Sequence, residues 1–144
     1  MILVNHDNKK SVPILTKFCE ERSNPCTVTL FDGFNREELV KLYTQAKVLY
    51  ATCMRGSERS IIEGALYGVL ILTDYCDNSS EQFDFPIPFH HRFSERQGIN
   101  ETAHFLLDHF LEEQKKLEPL RDMYKNINAH TLAEETKQFM HAIS

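Results

Sequence analysis

"KVLYATCMRGSERSIIEGALYGVLILTD", residues 47–74, changes its pattern twice. The run "KVLYAT" is an apolar segment suited to a buried strand, and "VLILTD" repeats that character after Gly68. Between them, "SERSIIEGALY" spaces its apolar residues for a helix, with Ser57 as cap, Glu58 in the first turn and Gly68 at its end. Two apolar strands joined by such a helix predict a parallel crossover, since strands buried on both faces do not alternate.

The same alternation continues upstream. "MILVN" reads as a first buried strand, and "SVPILTKFCEER" as an amphipathic helix opened by Ser11 with Pro13 in its first turn. "TVTLF" is a second strand, closed by the turn signal Asp32-Gly33. "NREELVKLYTQA" follows with an Asn cap, two early glutamates, and Leu39, Leu42, Tyr43 and Ala46 at helical spacing.

Four strands alternating with three helices predict an α/β fold: a Rossmann-like parallel sheet flanked by helices on both faces. The chain of 144 residues suits one domain. We expect an α/β core over residues 1–90. Residues 100–144 read as C-terminal helices, two or three in number, with Pro119 separating "ETAHFLLDHFLEEQKKLE" from the rest. Asn100 is expected as a helix cap, and Phe105, Leu106, Phe110 and Leu111 have the spacing of a core face.

Charge limits the partners. With 16 Lys and Arg against 21 Asp and Glu, the net charge is −5, which gives no whole-domain basic field for nucleic acid or an anionic membrane. No apolar run has the length of a membrane span, and the N-terminal run is too short for a signal-peptide core. The four cysteines form no C-x-x-C pair, and a chain of this size needs no covalent staple. Reduced cysteines and a cytoplasmic location are the expectation.

Ligands of parallel sheets bind beyond the carboxyl ends of the strands, so any phosphate site is expected there. Arg59 stands in the first turn of the third helix, where the dipole disfavours a cation unless an anion is close. Gly56 lets backbone approach a ligand, so Arg55, the amides around Gly56 and Ser57, and Arg59 can converge on a diphosphate. Glu63 lies one turn after Arg59 on the same side, and its carboxylate can accept hydrogen bonds from both hydroxyls of a ribose. The same spacing also fits a surface Arg59–Glu63 ion pair, with Arg55 solvated.

The stretch "NREELVKLYTQAKVLYATCMRGSERSIIEGALYGVLILTD" resembles the C-terminal, donor-binding half of GT-B glycosyltransferases. Shared features are an "EEL..LY..A" helix, a strand, a polar loop, then "E-A-x-x-x-G"-like spacing and another strand; the similarity covers residues 1 to 90. "GSERSIIE" is similar to a family-4-like branch with a "G-[KS]-[DE]-R-x-x-x-E" loop. The resemblance implies that Glu63 binds the nucleotide ribose and that the loop at Arg55, Gly56 and Ser57 binds the diphosphate. It further implies a phosphate role for Lys9 and Lys10, and a nucleobase seat around Phe31 and Gly33; as bare sequence these also read as solvated lysines and a core phenylalanine. Arg55 stands where many retaining members carry the first glutamate of an E-x7-E pattern, which leaves the sugar and the stereochemistry open.

The expected function is thus transfer of a sugar from a nucleotide-diphosphate sugar to a hydroxyl of a sugar or glycan acceptor. A second GT-B domain would supply the acceptor half. The alternative is a noncatalytic nucleotide- or protein-binding module of the same fold. The donor is a substrate, and no cofactor is expected. His90-His91 predict no metal site, because adjacent ligands on an extended segment point to opposite faces. Cys53 reads as structural rather than nucleophilic, and "VNHDNKK" lacks the acidic cluster of a phosphoacceptor domain.

Overall fold

The structure is a computed structural model that describes residues 1–31, 36–51, 58–74, 87–93, 98–123 and 125–126. Its strands are β1 (Ile2–Asn5), β2 (Val28–Phe31), β3 (Val48–Tyr50), β4 (Leu70–Asp74) and β5 (Arg92–Phe93). Its helices are α1 (Val12–Glu21), α2 (Arg36–Gln45), α3 (Glu58–Leu66), α4 (Gly98–Asp108) and α5 (Phe110–Lys116), followed by helical residues 118–123. The five strands form one parallel sheet in the order β2-β1-β3-β4-β5. This is the α/β, Rossmann-like architecture expected from the alternating pattern.

The apolar strands bury both faces. Leu3, Leu49 and Ile71 point to one side and pack with Tyr43, Ala46 and Ala65 from the α2 and α3 units. Ile2, Val4, Val48, Leu70 and Leu72 point to the other and meet Leu15 and Cys19 of α1 and Ala103 and Leu106 of α4. Gly64 makes the first contact close, since a Cβ there would lie 3.2 Å from Leu49 Cδ2 and 3.5 Å from Tyr43 Cε1.

Gly68 ends α3 as its sequence position suggests. Its φ of +89° suits glycine, and the chain reverses with Gly68 N–H donating to Ala65 and Val69 N–H to Gly64. An added Cβ would also meet Gln114 Nε2, which donates to the Gly68 carbonyl at 3.1 Å. Gly68→Ala is therefore expected to cost about 1–2 kcal/mol, read as a lower urea midpoint at unchanged m. An unchanged midpoint would contradict the left-handed cap.

Several expectations are corrected. Ser11 stands at the N-cap of α1 with Pro13 in its first turn, as expected, but makes no side-chain capping bond; it closes a 3-10 turn over His6–Ser11, and its Oγ donates to the Tyr50 hydroxyl at 3.4 Å. Asn100 lies inside α4, which starts at Gly98. The long helix expected from Glu101 to Glu118 is bent at His109, where α4 gives way to α5 while the bonds His109 N–H to Phe105 and Glu113 N–H to His109 persist. Leu106 is buried and Phe105 and Phe110 pack against the same cluster, but Leu111 is 75% exposed, so of the four expected core positions Leu111 faces outward. Cys19 and Cys26 are joined in a disulfide, because the chain reverses between the end of α1 and β2 and brings the two together. The expectation of reduced cysteines fails at this pair. No helix among the described residues is long and apolar enough to cross a membrane.

Candidate functional site

The sheet order fixes where a ligand cleft opens. β1 connects to β2 through α1 on one face, and β3 connects to β4 through α3 on the other, so the two crossovers diverge between β1 and β3. Such a divergence is the switch point at which parallel sheets bind ligands. The 3-10 turn after β1 carries Lys9 and Lys10 there, both exposed. Asn8 beside them is buried.

Tyr50 ends β3 at this edge and stacks obliquely on Phe93, with centroids 5.8 Å apart. Burial raises its hydroxyl above the ordinary tyrosine range; the Ser11 hydrogen bond opposes this and the Asp74 charge adds to it. Tyr50 is thus a neutral hydrogen-bonding group near neutral pH. Asp74 closes β4 alongside, with Thr73 Oγ1 donating to it at 3.5 Å.

The residues expected to bind a donor are only partly brought together. Arg59 lies in the first turn of α3, at the helix end that faces the carboxyl edge. Glu63, one turn on, is half-buried and lines a groove of about 810 Å³ with Leu66, Tyr67, Gln114, Lys115 and Arg121. This groove follows the flank of α3 against α5 toward the amino edge of the sheet, so Glu63 opens on that flank. Phe31 is buried in the core with Leu3 and Tyr43, which is the packing reading of that residue. Gly33, Arg55, Gly56 and Ser57 lie outside the described residues.

A cluster that the sequence argument did not assemble stands at the other end of the sheet. His90 and His91 are not on an extended segment but in a 3-10 turn, Phe89–His91, just before β5. Both rings therefore reach Glu113 of α5: His90 Nε2 lies 2.9 Å and His91 Nε2 3.2 Å from the same carboxylate oxygen. Lys116 Nζ is 3.5 Å from the other oxygen. Burial works to raise the Glu113 carboxyl, but the hydrogen bonds and charges of His90 and His91 outweigh it and hold the group at about 2. Burial pushes the His91 imidazole down to about 4. At neutral pH the buried pair is thus an ionised carboxylate facing a neutral imidazole. The missed signal is Glu113 itself, a glutamate one helical turn from Phe110 and Leu117 in an otherwise polar stretch.

No family model, no curated protein and no solved structure matches the chain.

Proposed function

We propose that the chain is the nucleotide-sugar-binding half of a GT-B-type glycosyltransferase, with the diphosphate at the carboxyl edge and the ribose at Glu63. The observation that carries this reading is the placement of Glu63. It stands half-buried on α3, one helical turn from Arg59, which lies in the first turn at the carboxyl-edge end of that helix. Four residues of helix rise about 6 Å, a distance on the scale of the step from a diphosphate to its ribose.

In this reading Lys9, Lys10, Arg55, Arg59 and the amide end of α3 bind the leaving nucleotide diphosphate and stabilise the charge that builds as the glycosyl bond breaks. Glu63 orients the donor. A second GT-B domain holds the acceptor hydroxyl, and the completed cleft excludes water from the transfer.

Calorimetric titration with UDP, GDP, ADP, TDP and their sugars tests the assignment. Glu63→Ala and Arg59→Ala are each expected to weaken binding of one nucleotide diphosphate by roughly tenfold or more, about 1.4 kcal/mol. Binding unchanged in both variants would overturn it.

The second reading, a noncatalytic nucleotide- or protein-binding module, draws on the exposed Tyr67 and Leu111 along the groove between α3 and α5. Turnover separates the two. Donor hydrolysis or transfer is expected of the enzyme, and affinity without product of the module.

A further inference from the structure

We propose that His90, His91 and Glu113 form a binding site for a first-row divalent metal ion, with zinc the best match to the donor set. Two imidazoles and one carboxylate are the ligand types that zinc takes, and all three donor atoms lie within 4.8 Å of one another. The two nitrogens stand 2.9 and 3.2 Å from the carboxylate oxygen. Ligands on a tetrahedral zinc at its ordinary bond lengths sit about 3.3 Å apart, so the two nitrogen–oxygen edges are close to those of the coordination shell. A small retreat of the Glu113 carboxylate admits the ion.

Burial supports the same assignment. The side chains of His91 and Glu113 are 1% and 3% exposed, which keeps competing water away, whereas His90 is half-exposed and leaves a fourth position open to solvent. Three protein ligands and one open position describe a site that can hold a water or a ligand oxygen. The ion would also tie the turn before β5 to α5, two elements far apart in sequence.

Proton accounting sets the affinity. Facing a carboxylate, each Nε2 carries the ring hydrogen; metal binding moves that proton to Nδ1 or releases it. Solvent can receive an N–H at Nδ1 of the half-exposed His90. Nδ1 of His91 is buried with no hydrogen-bond partner among the described residues, so an outer-shell acceptor is missing there. Loss of such a partner weakens a metal site by about 10–100-fold, and the site is expected to be that much weaker than a fully supported one. Lys116, two-thirds exposed, can swing its charge from Glu113 into water as the cation enters. None of the residues assigned to the nucleotide takes part, so the metal site stands or falls separately from the donor site.

The test uses the metal-free full chain without an affinity tag, titrated with zinc by calorimetry and with cobalt by its visible absorption. One ion per chain is expected, with the intense bands of a tetrahedral cobalt site. His90→Ala and Glu113→Gln are each expected to weaken binding more than about tenfold. His104→Ala, at the surface pair with Asp108, should leave it unchanged. His90 is half-exposed, so His90→Ala keeps the fold, which circular dichroism verifies. No saturable binding by the wild-type chain, or binding that His90→Ala leaves intact, would overturn the proposal.

Discussion

Leu106→Ala is expected to lower the free energy of unfolding by about 2–5 kcal/mol, the range for a large side chain removed from a packed core. Leu106 is fully buried in the layer that joins α4 to Ile2, Val4, Val48, Leu70 and Leu72. The polar ties of α4 cannot replace it. Arg22 donates to Asp108 at 2.8 Å, and His104 meets the same carboxylate, but Asp108 stands in solvent, where water screens both pairs. Leu106→Met, which keeps the volume, should cost less than about 1.5 kcal/mol. Urea denaturation reads both. A loss under about 1 kcal/mol in the alanine variant would mean that α4 does not carry this face of the sheet.

Glu113→Ala, measured in the presence of a chelator so that no metal contributes, should cost about 2–3 kcal/mol. Removing the carboxylate leaves the His91 Nε2–H buried without its acceptor, and an orphaned buried donor costs about 1–3 kcal/mol. His90 loses the same partner but is half-exposed, so water replaces most of that bond. Glu113→Gln keeps one acceptor oxygen and is expected to lose less than the alanine variant. Equal losses in the two would show that packing, not hydrogen bonding, is what Glu113 supplies.

The fold was legible because its strands are buried on both faces. "ILVN", "VLY" and "LILTD" are apolar without alternation, which a parallel sheet covered on two sides requires, and Gly68 punctuates α3 where φ turns positive. β5 was not legible. It is two residues long, Arg92 and Phe93, and exists only through pairing with Thr73 and Asp74, which no local pattern encodes. The bend at His109 was equally silent, since no Gly or Pro marks it and the backbone bonds run through.

The candidate site was legible in part and for similar reasons. Arg59 and Glu63 share a helix, so their spacing fixes their relation whatever surrounds them. Phe31 illustrates the limit: a strand-end aromatic can face a ligand or the core, and only the packing of α2 decides, here for the core. His90, His91 and Glu113 come together through a 3-10 turn and a helix 22 residues on, a meeting that depends on tertiary structure. The Cys19–Cys26 pair has the same origin, a reversal after α1 rather than a recognised spacing.

Amide-resolved NMR titration of the wild-type chain with UDP, GDP, ADP and TDP at millimolar concentration tests the central claim most directly, because it detects weak binding by an isolated half-site and maps it. One nucleotide is expected to shift the amides of His6–Ser11 and of Glu58–Glu63 together, leaving those of α4 unmoved. If none of the four shifts those two segments, the chain does not bind a nucleotide diphosphate at the switch point, and the donor-domain assignment is wrong.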